Sequence, residues 1–298
     1  MRGWWQDLTE LVLPAECGGC GTPRAALCAR CRAALCGVGP RRVRPVPEPR
    51  GLPVVHAAAV YEDAVRAVLL AHKERGALAL VGPLGEALAG AVRAGLECGA
   101  PGVSGAAAGR DGAAPVLLVP VPSARWAVRA RGHDPVRRIA LAAAGELRRS
   151  GVSARVLAVL RQRRAVADQA GLNSRERQAN LSGALEVAAG AGRLLRGAAR
   201  VVVVDDLMTT GASLVEATRA MGGVDGANGE GDQRARRTGR QAWIEVENQI
   251  GNRPSRGGEK GAVGAGPNAL VAGAKGAENK VRAAVVAAAP DSFKINRN

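Results

Sequence analysis

Residues 201–204 are four consecutive valines, followed at once by Asp205 and Asp206. A β-branched run with no polar alternation forms a strand buried on both faces, which is how parallel sheets covered by helices read in sequence. A parallel sheet needs crossover connections, and the neighbouring sequence supplies them. Short apolar runs at 54–60, 116–121, 155–160 and 281–287 alternate with amphipathic Ala/Leu/Arg stretches at 63–73, 82–97 and 134–149. The expected fold class is α/β, a parallel sheet flanked by helices. Ligands bind such sheets outside the carboxyl ends of the strands.

The residues after the valines narrow the chemistry. Leu207 and Met208 lead into Thr209, Thr210, Gly211, Ala212 and Ser213, a small-residue loop opening a helix that runs to about Met221. Backbone N–H groups at a helix start favour an anion. Three hydroxyls add donors, and Gly211 lets backbone approach a ligand closely. Two acids beside a phosphate cradle are unfavourable unless the ligand also brings hydroxyls or a metal. A ribose 5-phosphate brings both phosphate and hydroxyls. The bland alternative is an Asp-capped helix after a core strand.

Charge and composition agree with a folded chain that handles anions. Hydrophobic residues are 47% of the 298 and aromatics only 2%, so the core is expected to consist of Ala, Val and Leu. The net charge is +16, carried mostly by Arg, which a GC-rich codon bias would also produce. Position says more: residues 119–183 hold 13 Arg against four acids, a field that attracts phosphate on a nucleotide or a nucleic acid. No apolar stretch is long enough to span a membrane and the first 13 residues lack a secretory pattern, so a cytoplasmic chain without membrane insertion is expected.

Five of the six cysteines lie between residues 17 and 36. Cys17 and Cys20 form one CxxC pair, Cys28 and Cys31 a second. Two such turns supply the four thiolates of a closed, tetrahedral structural Zn²⁺ site. Gly18, Gly19 and Gly21 ease the backbone around an ion, and so short a segment would draw its folding energy from the metal. A redox CxxC is the rival reading, and Cys36 could replace Cys31 if the last turn is wider. The expected organisation is a zinc-binding module at 1–37, a Pro/Arg-rich linker at 38–53, and a sheet domain at 54–221. A Gly-rich disordered insertion at 222–279 comes next, then the final strand and tail at 280–298.

The stretch 201–213 resembles the phosphoribosyl-pyrophosphate (PRPP) motif of type I phosphoribosyltransferases. That resemblance implies that Asp205 and Asp206 hold the ribose 2′- and 3′-hydroxyls and act in catalysis, while Thr209, Thr210, Gly211, Ala212 and Ser213 hold the 5′-phosphate. Further segments are similar to the ComF-like competence proteins: Tyr61 with His72, Lys73 and Gly76; 119–123 followed by Arg129, Arg131 and Gly132; and Arg161, Arg163, Arg164, Gln169, Arg175 and Asn180. With the cysteines, the resemblance covers roughly 8–221 and 281–292. His133 and Asp134 stand where that family usually has Phe-Asn. It implies a pyrophosphate loop containing Ser123, Arg129 and Arg131, and a flap at about 161–183 whose arginines, Arg177 among them, contact pyrophosphate or an acidic partner. Lys73 is either a phosphate contact or a solvated helix-end lysine.

The activity so implied is Mg²⁺-dependent transfer of a phosphoribosyl group from PRPP to an unidentified acceptor. The alternative it implies is a non-catalytic DNA-uptake factor that binds single-stranded DNA beside a competence helicase. Scarce aromatics weigh against the second, since single-strand binders stack bases on such rings and only Trp4, Trp5 and Trp126 are placed to do so. A PRPP-sensing regulator without turnover is a third reading.

Overall fold

The structure, a computed structural model, describes residues 16–98, 115–164, 174–196, 198, 200–222 and 281–294. These belong to one unit of the chain, drawn from Met1–Ala227 and Lys280–Asn298. Trp4 and Trp5, residues 99–114, Gln169, and all of 222–279 except Gly222 lie outside the described residues.

Six strands form the main sheet: β1 (Arg41–Val43), β2 (Val54–Val60), β3 (Val116–Pro120), β4 (Ala154–Val156), β7 (Arg200–Met208) and β8 (Arg282–Ala288). Their spatial order is β1-β2-β8-β7-β3-β4, and every pairing is parallel except β1 with β2. The expected α/β class, a mostly parallel sheet flanked by helices, is the observed one. A second sheet pairs β5 (Leu160–Gln162) with β6 (Leu185–Val187) in antiparallel fashion.

Side-chain alternation along β7 splits the core in two. Val202 and Val204 join one apolar cluster with α2 (Asp63–Glu74), α3 (Val81–Glu97) and α5 (Pro135–Arg149). Val201 and Val203 join the other, with Leu195 of α7 (Gly192–Arg196), α8 (Ala212–Gly222) and the small sheet. Helices α3 and α5 meet through small residues, with Gly85 opposite Ala142.

The cysteine segment is continuous with this core. Helix α1 (Ala29–Cys36) contributes Leu35, fully buried in the cluster with α2 and α3. A Cβ added to Gly18 would lie 2.8 Å from Leu80. Within 38–53, expected to be a linker, Arg41–Val43 forms the edge strand and Val43 is 1% exposed.

One expectation is corrected. The strand expected at 155–160 is broken: β4 stops at Val156, and Leu160 begins β5 in the other sheet, turned by the Val159 N–H to Leu157 carbonyl bond. The segment expected as a flap, 161–183, contains Arg161 and Gln162 of β5 and the helix α6 (Ser174–Leu181). Glu216 of α8, 3% exposed, ties the small sheet to that helix. Its carboxylate accepts from the Leu185 N–H at 2.9 Å and from Arg219 Nε and Nη2, both at 2.7 Å, while Arg219 also donates to the Leu185 carbonyl.

Burial alone would raise the Glu216 pKa, but these bonds bring it below the ordinary carboxylate value. A depressed pKa makes this contribution complete above the ordinary Glu range and lost as pH falls through the lowered value. Glu216→Ala should therefore cost about 2–3 kcal/mol at neutral pH, with the gap to wild type closing on acidification; urea titrations at pH 7 and below pH 4 measure it. An equal deficit at both pH values would contradict the ionised role.

Candidate functional site

Strands β3 and β7 are neighbours whose connections leave in opposite directions. β3 proceeds through α5 to β4 on one side, and β7 through α8 to β8 on the other, the two helices covering opposite faces. In open α/β sheets this switch point is where a crevice forms. Strand length deepens it. The β3 pairing ends at Pro120 opposite Val204, and the Val121 N–H then donates to the Val204 carbonyl at 2.9 Å. β7 nevertheless continues beside β8 as far as Met208 opposite Ala288. Asp205 and Asp206 therefore lie inside the strand, where the sequence placed them at its end, and the β3 ladder does not extend alongside them.

Asp205 is 8% and Asp206 5% exposed. The Asp206 N–H donates to Asp205 Oδ1 at 2.9 Å, and Lys73 Nζ, from the last turn of α2, donates to Asp206 Oδ2 at 3.1 Å. Burial, and then the charge of Asp206, push the Asp205 carboxyl well above the usual carboxylate range. The negative charge of Asp206 raises Lys73 in turn, against the opposing effect of burial. Lys73 is thus an ion-pair partner of Asp206, a third role beside the phosphate contact and the solvated helix-end lysine expected from sequence. Position 73 at the close of an apolar helix was the available signal; its partner, 133 residues away, was not legible.

The loop after β7 keeps the shape its composition implies. Gly211 has φ +77°, in the left-handed region, and its carbonyl accepts the Val215 N–H at 3.0 Å as α8 begins. Ala212 is buried, while Thr209 is exposed and Thr210 and Ser213 are partly so. Arg177 of α6 reaches this loop, its Nη1 donating to Thr209 Oγ1 at 3.3 Å.

The segment after β3 is more committed than a free loop. Residues Arg125–Arg131 form the short helix α4, ended by Gly132 at φ +73°. Ser123 Oγ donates to Asp134 Oδ1 at 3.3 Å, and the same oxygen caps α5 by accepting the Arg137 N–H. Arg131 pairs with both oxygens of Glu74 at 2.9 and 3.0 Å, next to Lys73. Arg129 and Trp126 are exposed. In the flap segment, Arg164 donates to the Asn180 and Ser182 carbonyls and so staples its own hairpin. Nothing is described of the Arg175 side chain. The end of α4 is tied to α2 a second time by His133 and His72, buried rings 5.8 Å apart. Burial, chiefly, lowers the His72 pKa.

At the other end of the chain, the Sγ atoms of Cys17, Cys20, Cys28 and Cys31 all lie within 4.8 Å of one another. Tetrahedral Zn–S bonds of about 2.3 Å set thiolates roughly 3.8 Å apart, so these four could hold a zinc ion. The surroundings fit: a Cβ on Gly19 would come within 2.7 Å of Cys31 Sγ, and the Cys28 N–H donates to Cys17 Sγ at 3.3 Å. Hydrogen bonding from Thr22 lowers the Cys20 thiol to about 5, while burial raises Cys31. Cys36 is not in the group; burial raises its thiol to about 11. Of the two ligand sets left open, the structure brings together the one with Cys31.

No helix among the described residues is long and apolar enough to cross a membrane. In comparison with known proteins, no family model matches the chain and no curated protein matches it.

Proposed function

We propose that the chain binds PRPP or a related ribose 5-phosphate in the crevice between β3 and β7, and transfers its phosphoribosyl group to an acceptor. The observation that carries this reading is the pair of buried carboxylates, Asp205 and Asp206, held beside a Gly211 loop at a helix start. Two adjacent buried acids served by one lysine cost stability, and a ligand rich in hydroxyls gives them acceptor work. Asp205 and Asp206 hold the ribose 2′- and 3′-hydroxyls; Thr209 to Ser213 hold the 5′-phosphate; Ser123, Arg129 and Arg131 lie toward the pyrophosphate. Mg²⁺ accompanies the pyrophosphate and neutralises it. Reaching pyrophosphate requires Arg131, whose side chain is 19% exposed, to leave Glu74. Zn²⁺ on Cys17, Cys20, Cys28 and Cys31 is structural. These assignments draw on the resemblance to type I phosphoribosyltransferases of the ComF-like kind.

One observation favours the second reading, DNA uptake beside a competence helicase. Trp126 is 65% exposed on α4, with Arg125 and Arg129 on the same short helix, as a single-strand stacking platform would require. Isothermal titration with PRPP and with an oligonucleotide, each with and without Mg²⁺, separates the two. The transferase reading expects Mg²⁺-dependent PRPP binding at one site per chain. Tight oligonucleotide binding with no PRPP heat would replace it by the second.

A further inference from the structure

The four thiols of the cysteine cluster differ in their access to solvent. Cys17 and Cys31 are 4% and 1% exposed, Cys28 is half-buried, and Cys20 is exposed. The packing of each pair explains the order. A Cβ on Gly18 would meet Leu80 and Ala71, and one on Gly19 would meet Cys31 and Val68, so the chain just after Cys17 lies on the core. Cys31 shares α1 with the fully buried Leu35, one turn further on. Cys20 faces outward, its Sγ 3.0 Å from the Thr22 hydroxyl and 3.6 Å from Cys28 Sγ. Cys28 comes from the other CxxC pair, as the N-cap of α1. The two thiols that solvent reaches are therefore neighbours, one from each pair, and the other two are buried.

We propose that Cys20 and Cys28 are a redox pair, joined as a disulfide by hydrogen peroxide with loss of the zinc ion they help to hold. This rests on the zinc reading of the four cysteines and adds a sensitivity that a purely structural site would lack. A metal-bound thiolate remains a nucleophile where an oxidant can reach it, and oxidation follows exposure. The Cys20 sulfur attacks one peroxide oxygen, the O–O bond breaks, and hydroxide leaves, giving a sulfenic acid. The Cys28 sulfur then attacks the Cys20 sulfur, the S–S bond forms, and the sulfenic oxygen leaves as a second hydroxide. Two protons from solvent complete two waters, so two thiolates lose two electrons and one peroxide gains them. Cys17 and Cys31 remain, too few for a closed tetrahedral site. Their burial keeps them from the oxidant, so a thiol reductant and zinc restore the original state.

The test uses the full chain carrying Cys36→Ser and Cys98→Ser, which leaves only the four cluster thiols. Zinc-loaded protein is treated with hydrogen peroxide while a chromophoric indicator reads the zinc released, and the unreduced product is mapped by mass spectrometry. One Zn²⁺ per chain should appear in step with one Cys20–Cys28 bridge, and the melting temperature should fall toward that of chelated protein. Dithiothreitol with added zinc should reverse both changes. Cys20→His and Cys28→His each keep a fourth metal ligand but lack one sulfur of the bridge, so both should release zinc several-fold more slowly. A bridge made instead through Cys17 or Cys31, zinc retained once Cys20 is oxidised, or release from both His variants as fast as from their parent overturns the inference. In those cases the zinc reading stands. A chain that binds no zinc before oxidation removes that reading and the inference with it.

Discussion

Asn at both 205 and 206 should weaken PRPP binding by about a hundredfold or more and leave the chain folded. Each charge-assisted hydrogen bond removed is worth roughly 1.5–3 kcal/mol, and two are lost. The structure adds a stability signature. Burial raises the Asp205 pKa well above its ordinary value, so the folded state resists losing that proton. The resulting penalty is absent below the ordinary Asp range, grows as pH rises toward the raised pKa, and is full above it. Asp205→Asn should therefore melt higher than wild type at neutral pH, with the advantage vanishing under acid conditions. Oligonucleotide binding should be unchanged or slightly tighter, because removing negative charge cannot weaken attraction to a polyanion. PRPP affinity that survives the double substitution while DNA binding collapses would remove the assignment. Gly211→Val is a poorer probe of the same site. Besides blocking phosphate, valine at φ +77° and 2.8 Å from Leu52 strains the loop, so its losses mix affinity with stability.

Metal removal should have the other large effect. The purified chain is expected to carry one Zn²⁺, and Cys20→Ser or a strong chelator to release it. From sequence alone the damage would stop at the N-terminal segment and spare the sheet domain. The packing argues otherwise. Leu35 lies in the same apolar cluster as Val68, Leu80, Leu84 and Leu88, so a collapsed cysteine segment uncovers part of the main core. Uncovering one Leu of that kind costs about 2–5 kcal/mol, and the melting temperature of the whole domain should fall with zinc release. Elemental analysis alongside a thermal melt reads both. Protein purified without chelator that contains no zinc would contradict the assignment, and an unchanged melt after release would contradict the coupling.

The sheet was legible because its strands are buried on both faces and so lack polar alternation, as at 201–204. The four-cysteine cluster was legible because spacing alone sets the thiols within reach of one ion. Three features lacked such a signal. Edge strand β1 is three residues of Arg-Arg-Val, specified by pairing with β2 and by the burial of Val43 alone. Helix α6 has no apolar face, and it gains its place by packing on α8. The Lys73–Asp206 and Glu216–Leu185 bonds join distant positions, which no local pattern encodes. The extension of β7 past β3 belongs to the same class, since strand ends are set by partners. It is also what opens the site.

The central claim is that Asp205 and Asp206 face ribose hydroxyls, beyond any general attraction of the loop for phosphate. The direct measurement is the affinity of the full chain for ribose 5-phosphate against 2-deoxyribose 5-phosphate, by isothermal titration with Mg²⁺ present. The two ligands share the phosphate and differ by one hydroxyl. Loss of a charge-assisted bond predicts roughly tenfold or greater weakening for the deoxy sugar, and no discrimination once both acids are Asn. Equal affinity of the wild-type chain for the two sugars would contradict the claim.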